Sequence, residues 1–204
     1  MQAQQLPTHD LKPLRITRVE SWMERARQVD QEIEKFLFMW IGFNAAYGNV
    51  SPEVSVFSEK DVFNNFIDRV VKNDKEGLLD QVLWNIFPNK VRVLMQNKYS
   101  CQFFWADQMS DNLKYDWRER MDRELVALNK AFSHRDTAKV LKIIFCRLYV
   151  LRNRIVHGGI IFENAYNQKI LENASWLLES LINPMIEVMK GSEEGWGRPL
   201  YSVK

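Results

Sequence analysis

The sequence predicts an all-α protein: an up-and-down helical bundle carrying an irregular helical insertion over about 50–135. Three observations predict it. Apolar residues recur at alternating spacings of three and four along most of the chain. No run alternates apolar with polar residues, and no Asn-Gly or Asp-Gly pair marks a hairpin turn. Hydrophobic residues fill 46% of the 204 positions, seven of them Trp, which is enough for a large core or a buried interface.

The elements follow in order. Residues 1–14 read as a flexible N-terminus broken by Pro7 and Pro13. From Thr17, the positions Val19, Trp22, Ala26, Val29, Ile33, Phe36, Trp40 and Phe43 keep helical register until Gly48. One long helix is therefore expected over about 17–47. Its second half, FLFMWIGFNAAYG, is apolar nearly all round, as in a helix buried on most faces. Asn49 to Phe57 reads as a loop, and Ser58 with Asp61 as the cap of a helix lined by Val62, Phe63, Phe66, Ile67 and Val70. A short helix around 76–87 ends near Pro88. Over 88–112, the apolar trio Phe103, Phe104 and Trp105 lies among Asn, Gln and Ser, which suggests short helical pieces.

Helical spacing returns at Trp117, Met121, Leu125, Leu128 and Phe132. Val140, Leu141, Ile144, Phe145, Leu148, Leu151 and Ile155 mark a helix over about 137–157, with Gly158 and Gly159 past its end. A last helix, about 164–190, runs through Ile170, Leu177, Leu181 and Ile186, with a kink expected at Pro184. Residues 191–204 form a polar C-terminal tail. The whole of 1–204 is expected to be one helical domain.

Composition narrows the function. Lys and Arg number 28 against 26 Asp and Glu, so the formal charge is +2. So small a charge gives no broad pull on nucleic acid or membrane, and a polyanion partner must be met by a local cluster. Two cysteines, Cys101 and Cys146, do not make a disulfide framework and suit a reducing compartment. The polar opening MQAQQLPTHDLKPLR lacks the apolar core of a signal peptide, and no run is long enough to cross a bilayer. A cytoplasmic protein is expected. No phosphate-binding glycine loop, zinc-type Cys or His spacing, or Gly-x-Ser-x-Gly turn is present. Neither a metal nor a cofactor is expected.

The most informative stretch is VLRNRIVHGG, residues 150–159. Asn153 and His157 are four apart and share a helix face. Arg152 precedes His157 by five positions, which sets the two about 140° apart around one helix. A symmetric dimer brings the Arg of one chain to the His of another more readily than a monomer does. His is a general acid or base near neutral pH, and Arg donates to phosphate oxygens in a fixed fork. RNA supplies its own nucleophile, the 2′-hydroxyl, so a proton carrier and a charge holder suffice to cut it without metal. The competing reading is plain: basic residues are favoured in any last helical turn, and Arg-x(4 to 6)-His alone carries little weight.

The stretch LYVLRNRIVHGG resembles the signature of the HEPN family (higher eukaryotes and prokaryotes nucleotide-binding). That signature is Arg-x(4 to 6)-His with a polar residue, often Asn, directly after the Arg. Arg152, Asn153 and His157 match it residue by residue. FMWIGFNAAYG, residues 38–48, resembles the first long helix of the bacterial Apea-like HEPN group. The resemblance covers 17–47, 137–157 and 164–190, and says little about 50–135. It implies a helical bundle that dimerises with two motifs across a cleft. Active members are metal-independent endoribonucleases in toxin–antitoxin, phage-defence and RNA-processing systems. Other members bind nucleotide, RNA or protein, or only dimerise. The intact motif favours the active kind, with Arg152, Asn153 and His157 as catalytic residues and RNA, with an antitoxin or other protein, as partners.

Other residues are weighed both ways. Arg154, Asn44, Tyr47 and Lys142 are candidate binding residues. For Asn44 the plainer reading is a buried amide bonded within the bundle. Phe103, Phe104 and Trp105 either stack bases or anchor the insertion, the second being favoured. Arg118, Arg120 and Arg123 alternate with Glu119, Asp122 and Glu124, which favours a solvated, salt-bridged face. Lys139, Lys142 and Arg147 read either as a phosphate path toward the motif or as a solvent-facing stripe.

Overall fold

The computed structural model describes residues 11–49, 58–110, 116–162 and 165–201. Among them are nine α-helices and no strand, an all-α bundle. The helices are α1 (Lys12–Arg27), α2 (Glu32–Tyr47), α3 (Glu59–Asn73), α4 (Leu78–Ile86), α5 (Arg92–Gln96), α6 (Gln102–Gln108), α7 (Trp117–Ser133), α8 (Thr137–Val156) and α9 (Ala165–Gly191). A π-helical turn, Phe87–Val91, and a 3-10 turn, Lys98–Ser100, flank α5. Over 88–110 the chain is therefore built of short helical pieces, as the broken periodicity predicts, whereas α3 and α7, also within 50–135, are full helices of 15 and 17 residues.

The long helix expected over 17–47 is instead two. The chain leaves α1 at Gln28 and re-enters a helix at Glu32. Apolar register runs through the break because both halves bury the same kind of face. A straight helix of that length would span about 46 Å and carry one half off the core. Folding back lets α1 lie along α2, with Val19, Met23 and Ala26 fully buried. At Gly42 the two helices are in van der Waals contact: a Cβ there would sit 3.5 Å from the Met23 sulfur and the Trp22 Cβ. A charge signal marks the turn, with Arg25 and Arg27 in the last turn of α1 and Glu32 and Glu34 in the first turn of α2. Each complements its helix dipole. The N-terminal expectation is also corrected. Pro13 lies in the first turn of α1, where its missing N–H costs nothing, so the helix starts at Lys12.

The remaining boundaries follow local chemistry. Ser58 and Asp61 form a reciprocal capping box at α3. The Asp74 carboxylate accepts from the Leu78 and Leu79 amides, each at 2.8 Å, and starts α4. Asp136 caps α8 by accepting from Lys139 N at 3.0 Å. α9 runs through Pro184 without interruption. The expected loop over Asn49 to Phe57 lies outside the described residues beyond Asn49.

α2 sits at the centre, against α1, α8 and α9. Its Trp40, Phe43 and Tyr47 meet Phe63 and Phe66 of α3 and Phe145 and Tyr149 of α8. Phe43 and Phe145 stack with centroids 4.3 Å apart. These contacts fix the ends of α2, α3 and α8 relative to one another, and the polar residues of interest lie at those ends.

The C-terminal tail is docked, contrary to its polar composition. Trp196 is buried against Phe66, and the Arg69 guanidinium lies over its ring at 5.0 Å. Arg15, fully buried, donates to the Ala46 and Gly48 carbonyls at 2.7 and 2.9 Å, and to Gly197 O at 3.2 Å. One guanidinium thereby caps α2 and anchors the tail, which pairs Pro199 with Asn49.

Candidate functional site

The end of α8 is built by a glycine cap. His157 is the last residue with near-helical backbone, and its N–H donates to Asn153 O at 2.9 Å. Gly158 then takes φ +72°, a left-handed conformation that glycine adopts freely. Its N–H donates to Ile155 O and that of Gly159 to Arg154 O, the paired bonds of a Schellman cap. The two glycines thus place His157 at a defined point. Its side chain is exposed and makes no hydrogen bond or ion pair among the described residues.

One turn back, Arg152 points toward α3. Its Nη1 donates to Asn153 Oδ1 at 2.9 Å and lies 3.6 Å from Glu59 Oε2. The guanidinium also lies over the Tyr149 ring at 5.9 Å. Both charged side chains are partly exposed, 22% for Arg152 and 32% for Glu59. Glu59 reaches the other way as well. The Tyr47 hydroxyl lies 2.8 Å from Glu59 Oε1 and 2.7 Å from Asn44 Oδ1. One O–H has a single proton to give, and the charged carboxylate takes the stronger share. Burial, with the Glu59 charge second, pushes the Tyr47 phenol far above its usual pKa, so Tyr47 is a permanent donor.

Asn44, Tyr47, Arg152 and Asn153, two of them assigned from α2 and two from α8, therefore meet in one polar chain. Glu59 is the link, and the sequence reading missed it. Its position in the first turn of α3 is explained by the helix dipole alone, so no local pattern marks it. Tyr149 was missed too, although it lies three residues before Arg152 on the same face. The structure does not bring His157 into this chain by any contact. Arg154 turns away to the insertion, over the rings of Tyr99 and Trp105 at 5.3 and 4.9 Å. Lys142 lies far up α8, bidentate to Asp68 of α3 at 2.6 and 2.7 Å.

Other expectations are settled by contacts. Arg147 is neither a phosphate contact nor a solvent-facing residue: it is 2% exposed and pairs with Glu124 of α7 at 2.6 Å. A long side chain inside the bundle needs that carboxylate, which the alternating charges of α7 conceal. Phe104 packs edge-on to Tyr99 and Trp117, so the aromatic trio anchors the insertion. Arg123 and Glu119 form an exposed i,i+4 pair at 2.6 Å, as a solvated face would.

A groove of about 640 Å³ opens beside the polar chain. Trp22, Ile41 and Leu200 line it, with Asn44, Tyr47 and Glu59 on the side nearest Arg152. No helix among the described residues is long and apolar enough to cross a membrane. Set against protein-family models, curated proteins and solved structures, the chain finds no match in any of the three.

Proposed function

We propose that this protein is a metal-independent endoribonuclease of the HEPN type that works as a homodimer. The carrying observation is a partly exposed guanidinium held by Asn153 and Glu59, with a solvent-facing imidazole at the end of the same helix. His157 takes the proton of the ribose 2′-hydroxyl. The 2′-oxygen bonds to phosphorus, the P–O5′ bond breaks, the departing 5′-oxygen takes a proton from water, and the products end in a 2′,3′-cyclic phosphate and a 5′-hydroxyl. Arg152 holds the extra negative charge on the phosphoryl oxygens, and Asn153 sets its fork. Dimerisation at this end of α8 is supported by apolar side chains next to His157. Val156 is 55% exposed, Ile161 75% and Phe162 47%, three exposed apolar residues within seven positions of the chain. A role in defence or beside an antitoxin rests on the family resemblance alone.

The test is digestion of RNA in chelator, with product ends identified. Wild type is expected to leave cyclic phosphates, and His157→Ala to leave the RNA intact. Equal digestion by the two would defeat the proposal. Replacing Ile161 and Phe162 with Asp is expected to give monomers that no longer cut.

A second reading is favoured by the Glu59 contact, which already offsets the charge of Arg152. On it, the same cluster only binds RNA, nucleotide or a partner protein. Arg152→Ala would then weaken retention of the ligand, with no turnover in any variant.

A further inference from the structure

We propose that the groove beside Glu59 is a base-binding subsite selective for guanine. The choice of a nucleotide as occupant rests on the ribonuclease reading; the choice of base rests on the groove itself. At about 640 Å³ the groove lies within the roughly 300–1,000 Å³ of ordinary small-ligand pockets. Trp22, Ile41, Val62 and Leu200 line it, an indole and three aliphatic side chains that suit a flat heterocycle, and Arg18 lines it too, its guanidinium donating to the Leu200 and Tyr201 carbonyls.

The floor decides the base. Glu59 lines the groove as a carboxylate, an acceptor with about four lone-pair sites. Tyr47 and Arg152 engage one oxygen each, and since each carboxylate oxygen accepts more than one bond, acceptor capacity remains on this groove-lining residue. Guanine presents two adjacent donors, N1–H and the 2-amino group, which match a carboxylate. Adenine, cytosine and uracil have no such donor pair on that edge. Glu59 also touches Arg152, so the subsite and the proposed cleavage centre adjoin through one residue.

The experiment is calorimetric titration of the full chain with 5′-GMP, 5′-IMP, 5′-AMP, 5′-CMP and 5′-UMP, none of which offers a bond to cut. GMP is expected to bind at least tenfold tighter than AMP, CMP and UMP, as one or two bonds to a charged acceptor require. IMP, which lacks the 2-amino group, is expected between GMP and AMP. Glu59→Gln removes the preference for GMP and Trp22→Ala weakens all five; far-UV circular dichroism checks that each variant folds. Equal binding of GMP and AMP, or no binding of GMP by folded wild type, overturns the subsite. GMP selectivity without RNA cleavage keeps the subsite and removes the nuclease. Cleavage without GMP selectivity does the reverse.

Discussion

Replacing Arg15 by Met is the perturbation whose size follows most directly from the contacts. The guanidinium is fully buried and donates to Ala46 O at 2.7 Å, Gly48 O at 2.9 Å, and Ala45 O and Gly197 O at 3.2 Å. Met fills a similar volume and offers no donor. A buried carbonyl left without a donor costs about 1–3 kcal/mol. Ala46 O and Gly48 O are the two in buried contacts, the second keeping a long bond from the Leu200 amide at 3.4 Å, so about two bonds set a loss of about 2–6 kcal/mol. Part is offset, because Met needs no buried charge: desolvation, with Arg69 and Arg18 nearby, lowers the Arg15 pKa to about 10. A net loss of about 2–4 kcal/mol remains, or roughly 5–15 °C in melting temperature for a chain of this size. Urea unfolding followed by circular dichroism measures it, with an unchanged slope showing that the unfolded state is the same. Arg15→Lys keeps the charge and fewer bonds, and is expected to fall between. A loss below about 0.5 kcal/mol, the range of surface substitutions, would refute the idea that this side chain caps α2 and holds the tail.

Three further outcomes are expected. Absorbance titration of the phenols will show one tyrosine still protonated well above the usual value of about 10, and Tyr47→Phe will remove it. The sign follows: a phenol whose pKa is raised by folding stabilises the fold below its unfolded pKa, so wild type loses this contribution as alkali rises past that value, and the Phe variant does not. Gly158→Ala meets no atom within 4 Å but must hold φ +72°, so it is expected to cost about 1–2 kcal/mol by conformation alone, read as a melting shift. Trp196→Ala removes a side chain 2% exposed and packed on Phe66, and is expected to cost about 3–5 kcal/mol in denaturant.

Helical periodicity made α3, α7, α8 and α9 legible in the sequence, since each shows one apolar stripe, with Gly158 and Gly159 marking the end of α8. The same periodicity concealed the turn between α1 and α2, because Val29 keeps register with both helices while the chain reverses. Charges at Arg25, Arg27, Glu32 and Glu34 were the better guide. Trp196 and Arg15 were illegible for a different reason. Their burial depends on partners about 130 or more and 30 or more positions away, and composition alone reads the tail as polar and Arg15 as exposed. At the candidate site, Arg152, Asn153 and His157 announced themselves by spacing, and Asn44 and Tyr47 by being polar on an apolar helix. Glu59 joins the two groups only in three dimensions.

The most direct trial of the central claim uses a labelled RNA and its copy carrying a single 2′-deoxy sugar at the cleaved position, both incubated with the protein in chelator. Wild type should cut the all-ribose strand and leave the modified position whole, and removing the imidazole at position 157 or the guanidinium at 152 should slow cutting by about a hundredfold or more. Cutting that ignores the missing 2′-hydroxyl, or that survives in the His157→Ala protein, contradicts the account.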